Sequence, residues 1–365
     1  MSTYGAKWRH NFSAGPSVID AGVLKKLSDE LVSFEDTGIG LIEHSHRDKD
    51  GPVQRCIVDA CDLLRDVLSV PETHDVLLMH GGAHAMFAAV PMNLAGELGA
   101  KACYIGDGFW SKRASSEADK YCTTIHVQDA VDIDHDAAFV HLTANETISG
   151  VEYHVDPNLP AGSPPLVGDF TSTLLSRSVD FSKYGAVYAS TGKNLGPSGL
   201  VVVICRKSLL GRELDITPGV MSWSLNSNTK PIANIWNTPN VFGIRALQLV
   251  LEDCKAKGGV EAMKIRAERR ARCIYEVIDE SDGFYVNTVD PEFRSFMTIP
   301  IRIGHHNEKD MEKKFLDEST LQRFYNLKGH PLFGGIRVSL YNQIPDESVY
   351  ALVKFMRNFE KMNRG

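Results

Sequence analysis

Apolar side chains recur along this chain in two alternating periods, and the alternation is its first architectural signal. "SVIDAGVLKKLSDELVSF" places Val18, Val23, Leu24, Leu27 and Leu31 at helical spacing, and "GPVQRCIVDACDLLRDVLSV" does the same with Val53, Ile57, Cys61, Leu64 and Leu68. "HDVLLMHGGAHAMFAAVPMNL" predicts a strand, a glycine turn and a helix that begins near Ala83. "KACYIGDGFW" predicts a strand, "DAAFVHLTANETISG" another followed by a polar loop, and "PPLVGDFTSTLLS" a third. "YGAVYAS" and "GLVVVICR" are short, rich in β-branched and aromatic residues, and bounded by Gly or Pro, so both predict buried strands. Strands that alternate with helices predict an α/β fold with a mostly parallel sheet covered on both faces.

Near Lys257–Gly259 the texture changes. "VEAMKIRAERRARCIYEVIDES" predicts a long amphipathic helix, followed by mixed strands ("FRSFMTIPIRI", "GGIRVSLYN") and helices ("KDMEKKFLDEST", "PDESVYALVKFMRNFEKM"). The expected organisation is a large α/β domain over 17–258 and a smaller α+β domain over 259–365, joined by the N-terminal segment 1–16.

Composition narrows the class. The chain has 365 residues, of which 43% are apolar and 23% charged, with a net charge of −7. That balance argues against nucleic acid or an anionic membrane as the main partner. Seven scattered cysteines (Cys56, Cys61, Cys103, Cys122, Cys205, Cys254, Cys273) form no C-x-x-C pair, which argues against a zinc site or a disulfide framework and for a reducing, cytoplasmic compartment. The start "MSTYGAKWRHNFSAGP" has no secretory h-region, and no apolar stretch approaches the ~20 residues of a membrane span.

Three features carry candidate chemistry. Lys193, in "ASTGKNLGPSGLVVVICR", stands where one buried strand ends and a Gly/Pro turn leads to the next. Taken singly it is either a solvated turn lysine or an amine held in a low-dielectric pocket for Schiff-base formation. In "LVGDFTST" a strand delivers Asp169 at its carboxyl end, where α/β sheets bind ligands, and the alternative there is a helix N-cap. The Gly81-Gly82 turn leads into a helix start that suits an anion, or is an ordinary strand–helix turn. It matches neither G-x-G-x-x-G nor the Walker pattern. Together, an amine for an aldehyde, an acid for a ring nitrogen and a cradle for a phosphate describe pyridoxal 5'-phosphate. Trp110 is either a ring-stacking residue or a core aromatic.

These residues lie in motifs with a family resemblance. "NFSAGP", "HSHR", "HGGAHAMFAAVPMNL", "ANETISGV", "DFTSTLLSRSVD", "GKNLGPSGLVVVI", "WNTP" and "KGHPLFGGIRVSLYN" occur in the order found in the phosphoserine aminotransferase family, and the match spans nearly the whole chain. The resemblance implies class V, fold-type I architecture with a seven-stranded type of sheet, and a homodimer with shared active sites. Carried over by position, Lys193 resembles the Schiff-base lysine, Asp169 the partner of the ring nitrogen, Trp110 the stacking residue and Thr147 the donor to the phenolic oxygen. The backbone at Ala83 and His84 matches the phosphate cradle, beside Gly192. Asn237 and Thr238 match the pair that reaches the phosphate from the other subunit. Arg337 resembles the arginine that grips the substrate α-carboxylate, and Ser13, His46, Arg47 and His330 sit in motifs lining the substrate site. No metal is implied.

The chain departs from the family pattern at three positions. Gly192 precedes the lysine where family members usually carry glutamine. His84 stands where many bacterial members have arginine, and Pro331 follows His330 where the pattern is "GHR". Lys328 and the pair His46–Arg47 are the cations left to compensate. The resemblance implies amino transfer between L-glutamate and 3-phosphohydroxypyruvate, giving 2-oxoglutarate and O-phospho-L-serine for serine biosynthesis. The alternative is a class V enzyme acting on another, non-phosphorylated keto acid, for which the missing cation at Pro331 is the main support. A scaffold protein that keeps the fold without the chemistry is disfavoured by the presence of Lys193, Asp169 and Arg337.

Overall fold

The computed structural model describes residues 9–304 and 308–364. The stretches 1–8, 305–307 and 365, which the expected domain boundaries include, lie outside the described residues. The chain divides into two compact units, a larger one of Ile19–Glu146 and Tyr153–Met263, and a smaller one of the residues up to Val18, Thr147–Glu152 and Lys264 onward.

The larger unit is built on a seven-stranded sheet. In chain order its strands are β1 (His74–Gly81), β2 (Lys101–Ile105), β3 (Thr123–Val127), β4 (Phe139–Thr143), β5 (Leu166–Asp169), β6 (Tyr184–Ser190) and β7 (Gly199–Arg206). Their spatial order is β1-β7-β6-β5-β4-β2-β3. All run parallel except β7, which is antiparallel to both β1 and β6. The helices of this unit are α1 (Ala21–Val32), α2 (Pro52–Leu68), α3 (Ala83–Leu94), α4 (Phe109–Ala118), α5 (Trp223–Asn228) and α6 (Val241–Ala256).

The near-continuous apolar strands follow from burial on both faces. Successive side chains alternate between two clusters. Val76, Leu78, Val202 and Ile204 join the cluster containing residues of α1, α2 and α6. Leu77, Met79, Val201, Val203 and Cys205 join the cluster containing residues of α3 and α4. Each β7 residue from Leu200 to Cys205 therefore has a covered face to enter, and a period-2 polar pattern would have buried unpaired polar groups on one side.

One sequence expectation is corrected. "KACYIGDGFW" does not run on as a strand to Trp110: β2 ends at Ile105, and Phe109 and Trp110 open helix α4. The reason is tertiary. The carboxylate of Glu146 accepts the N–H of Trp110 (3.0 Å) and of Ser111 (2.9 Å), so a helix start is satisfied by an acid 36 residues away. Gly108 makes room for it, since a Cβ there would lie 2.1 Å from the Glu146 carboxyl carbon.

The smaller unit packs α7 (Gly259–Asp279), α8 (Lys309–Leu321) and α9 (Asp346–Asn363) with a sheet of β8 (Tyr285–Val286), β9 (Thr298–Ile303) and β10 (Ile336–Ser339). Its core gathers Phe315, Phe324, Phe355 and Phe359 with Ile299, Ile301, Ile336 and Val338. The segment Thr147–Glu152 is stitched to it by Ser295 N–H donating to the Gly150 carbonyl (2.9 Å) and by Phe296 N–H donating to the Glu152 carboxylate (2.8 Å). No helix among the described residues is long and apolar enough to cross a membrane.

Candidate active site

Parallel strands deliver their carboxyl ends to one rim, and the chemistry of the larger unit collects there. Asp169 is the last residue of β5, in register with Thr143 at the end of β4 and with Tyr188 on β6. Its side chain is buried, 5% exposed. The Thr171 N–H donates to Oδ1 (2.9 Å), and the hydroxyl of Tyr188, the register partner of Asp169, also favours the charged carboxylate. Burial outweighs these donors and the charge of Lys193, so the carboxyl is raised above its ordinary 3.8.

Lys193 follows β6 by three residues, on the connection to β7. The connection is pinned at several points. The Thr191 N–H and hydroxyl both donate to the Leu200 carbonyl (3.0 and 3.1 Å), the hydroxyl also reaches the Pro197 carbonyl, and Asn194 Nδ2 donates to the Leu174 carbonyl (3.0 Å). Gly196 and Gly199 take positive φ (130° and 110°), which the sharp reversal into β7 demands. Asn194 and Leu195 are buried and Lys193 is half-buried. The turn lysine therefore sits on a stiff, inward-packed loop within electrostatic reach of Asp169 and Glu146.

Glu146 is the acid that reading the sequence missed. It is buried, its carboxyl is raised by desolvation against the two N–H bonds it accepts, and it holds Trp110 at the head of α4. The available signal was an acid in the polar loop after an apolar strand, the same signal that marked Asp169. The Trp110 ring meets the His84 ring edge-on at 5.8 Å, so these two expected site residues are neighbours.

The start of α3 is open. Gly82 is its N-cap and supplies no side-chain cap, so the first-turn N–H groups at Ala83 and His84 have no partner within the helix. A Cβ on Gly82 would stand 3.6 Å from Ser190 Oγ at the end of β6, and Gly81 takes φ 107°. Gly192 has no such backbone demand. A Cβ there would meet Ser198 Cβ at 3.2 Å, so the larger side chain usual at this position would need Ser198 to give way.

These features fit pyridoxal 5'-phosphate. A buried carboxylate at a strand end matches a pyridinium nitrogen, a side-chain-free helix start matches a phosphate, and Thr143 Oγ1, buried in register with Asp169, is without a hydrogen-bond partner among the described residues. Among the described residues no cluster of three or more His, Cys, Asp or Glu side chains is placed to hold a metal.

The remaining expected residues lie on other segments of the chain. His46 and Arg47 lie on the loop before α2. The His46 carbonyl accepts Gln54 Nε2 (3.0 Å), and the Arg47 N–H donates to Ser45 Oγ (3.1 Å). Asn237 and Thr238 stand exposed on the loop between α5 and α6. That loop is anchored by Asn234, whose Oδ1 accepts the Leu78 N–H (2.9 Å) and whose Nδ2 donates to the Val76 carbonyl (3.2 Å).

Ser13, Thr147, His330 and Arg337 belong to the smaller unit. Arg337 lies on β10, and its N–H donates to the Leu327 carbonyl (2.7 Å). His330 sits at the tip of the turn that leads into that strand. Its carbonyl accepts the N–H of Gly334 (2.7 Å) and of Phe333 (2.9 Å). The turn needs its glycines, because a Cβ on Gly329 would lie 1.8 Å from the Gly334 carbonyl oxygen, and one on Gly335 would lie 2.5 Å from that of Ile301. Burial lowers Arg337, while burial and the Arg337 charge lower His330 below its ordinary 6.5. Ser13 donates its N–H to Asn11 Oδ1 (3.1 Å), and Thr147 is buried.

An amine on a pinned turn, a buried acid on the adjoining strand end and an open helix start form one constellation, and known proteins share the whole chain that builds it. Phosphoserine aminotransferases of Hahella chejuensis and Drosophila melanogaster are each 39% identical over 97% of this chain and 99% of their own length. The solved phosphoserine aminotransferase of Bacillus circulans subsp. alkalophilus is 35% identical with a TM-score of 0.91, covering 99% of this chain and 100% of that one. A PLP-bound phosphoserine aminotransferase of Trichomonas vaginalis is 33% identical with a TM-score of 0.89, covering 96% and 100%. The model of the aminotransferase class-V family matches residues 9–352, and the chain belongs to that family.

Proposed function

We propose that this chain is a pyridoxal 5'-phosphate-dependent transaminase that moves an amino group between L-glutamate and 3-phosphohydroxypyruvate, a reading supported by its relatives named phosphoserine aminotransferase. The observation that carries the reading is Asp169, a buried strand-end carboxylate with Lys193 as its cation. When bound, pyridoxal phosphate supplies an aldehyde for the amino group and a ring that accepts electrons from the substrate Cα. Lys193 would hold that aldehyde and would move the proton at the substrate Cα as base and then acid. Asp169 holds the ring nitrogen protonated. The N–H groups at Ala83 and His84, beside Gly192, would receive the phosphate, Trp110 would cover the ring and Thr147 would donate to its phenolic oxygen. Arg337 grips the substrate α-carboxylate with its planar fork. Ser13, His46, Arg47 and His330 serve the second anionic group, which is the glutamate carboxylate in one half-reaction and the phosphate in the other.

The two units are read as a large cofactor-binding domain and a small domain. The working form is read as a cytoplasmic homodimer in which the exposed Asn237 and Thr238 complete the neighbour's phosphate site. The test is a substrate panel with glutamate as donor, following 2-oxoglutarate. A preference for 3-phosphohydroxypyruvate over hydroxypyruvate and glyoxylate supports the reading. No preference would replace the substrate with a non-phosphorylated keto acid, the alternative that Pro331 favours.

A further inference from the structure

Behind Asp169, on the same face of the sheet, stand two side chains that the reaction as described does not use. His141 on β4 is 1% exposed and Tyr188 on β6 is fully buried. The register sets them together: β5 lies between β4 and β6, Tyr188 is the β6 partner of Asp169, and His141 is the β4 partner of Val167. His141 Nε2 and Tyr188 Oη are 2.9 Å apart, and Tyr188 is the register partner of Asp169 on the neighbouring strand, where its hydroxyl acts on the Asp169 carboxylate. The other imidazole nitrogen, Nδ1, is buried and has no hydrogen-bond partner among the described residues. The Tyr104 ring stacks on the imidazole at 4.9 Å, and Phe139 meets Tyr104 edge-on, so the surroundings are aromatic.

The vacant Nδ1 gives this chain of bonds a direction. Tyr188 has one proton for two neighbours. With the imidazole proton on Nε2, His141 donates to Tyr188 Oη, and the tyrosine proton is free for the carboxylate. Only a lone pair is left bare at Nδ1. The reverse polarity needs a protonated Asp169 and a proton on Nδ1, which strands a buried N–H donor, the costlier of the two defects. Burial pushes the imidazole down to about 3, so it stays neutral and keeps a single proton to place.

We propose that His141 and Tyr188 are positioning residues acting through Asp169: the donor chain His141 Nε2–H to Tyr188 Oη, and Tyr188 Oη–H to the Asp169 carboxylate, holds that buried acid ionised for the ring nitrogen of pyridoxal phosphate. The inference rests on the function proposed above and adds to it how a carboxylate that burial drives toward neutrality is kept charged. Each link is a hydrogen bond from a neutral donor, one of them to a charged acceptor, and the charged link carries the larger effect.

The test separates this role from simple packing by changing the ligand. The cofactor is removed, and the chain is reconstituted with pyridoxal phosphate or with an analogue whose ring nitrogen is replaced by carbon. Dissociation constants are measured for both. Tyr188→Phe and His141→Leu each lower the preference for the nitrogen ring about tenfold, because only that ring needs an ionised partner. His141→Gln, which returns an N–H donor, keeps most of the preference. Adding His141→Leu to Tyr188→Phe changes the preference by no more than about twofold, because the chain is already cut. An unchanged ratio in Tyr188→Phe, with both ligands still bound, overturns the inference, since packing loss weakens the two alike. Tyr188→Phe preserves the ring volume and decides the matter if His141→Leu does not fold. Failure of the unaltered chain to bind pyridoxal phosphate would overturn the proposed function itself, a distinguishable result.

Discussion

Asp156 and Asp169 are both buried acids of the larger unit, each with one cation, and they are built for opposite ends. Asp156 is sealed. Its Oδ1 meets Arg177 Nη2 at 2.8 Å and accepts the Tyr184 hydroxyl at 2.9 Å, while Oδ2 accepts the Asp180 N–H at 2.9 Å. Arg177 is itself spent on the Ser178 carbonyl (2.9 Å) and lies over the Phe170 ring at 5.1 Å. Asp169 accepts the Thr171 N–H at 2.9 Å instead, and the charge of Lys193 acts on it. A buried acid paired directly with a guanidinium fastens the structure, whereas a buried acid at a strand end beside an amine is placed to meet a ligand.

Removing each cation gives the widest separation. Lys193→Ala should end transamination and leave borohydride reduction with nothing to trap, while the fold persists. Peptide mapping that finds the trapped cofactor on a different lysine would break the assignment. Arg177→Met should do the reverse, costing about 3–5 kcal/mol of stability in denaturant titrations because Asp156 is left buried and unpaired. Its turnover per folded, cofactor-loaded molecule should stay near that of the unaltered chain. A large loss of turnover at full loading would erase the distinction between the two acids.

Neutralising the acids sharpens the comparison. Asp169→Asn should lower turnover by on the order of a hundredfold, corresponding to about 3 kcal/mol of lost charge-assisted stabilisation. Its cofactor-free chain should unfold no more easily than the parent. Near-normal turnover would detach Asp169 from the cofactor.

The smallest effect is in pH. The folded carboxyl of Asp169 lies above its unfolded value of 3.8, so between the two values the folded chain binds more protons than the unfolded one. Its ionisation therefore subtracts stability as pH rises through the folded value, and the penalty is absent below 3.8. The cofactor-free Asp169→Asn chain should be the more stable of the two at neutral pH, with the gap closing as the medium is acidified. Melting curves of the two chains across that range would show a constant gap if Asp169 carries no such burden.

The legible part of the site was that borne on strand ends. Asp169 and Lys193 could be found because each follows an apolar run that stops at a turn, and the helix at Ala83 because two glycines interrupt the pattern. Trp110 was placed on a strand because "YIGDGFW" continues an apolar run, and the acid that turns it into a helix start is Glu146, far along the chain. His141 and Tyr188 were hidden for a related reason. In strands buried on both faces, a histidine and a tyrosine read as filling, and only the register shows that they meet.

By itself the sequence determined the elements that local periodicity and turn chemistry encode. These are the alternating strands and helices, the change of texture near Lys257, the amine on its Gly/Pro turn and the acid at its strand end. The family motifs added the cofactor. Tertiary structure decided what depends on partners distant in the chain. It reversed β7 between β1 and β6, seated Glu146 under α4, placed Thr147–Glu152 with the smaller unit, and closed the His141–Tyr188 hydrogen bond behind Asp169. The reason is physical: a side chain's period records which face is buried, whereas the identity of the group opposite it is set by strand order and register, which no local pattern carries.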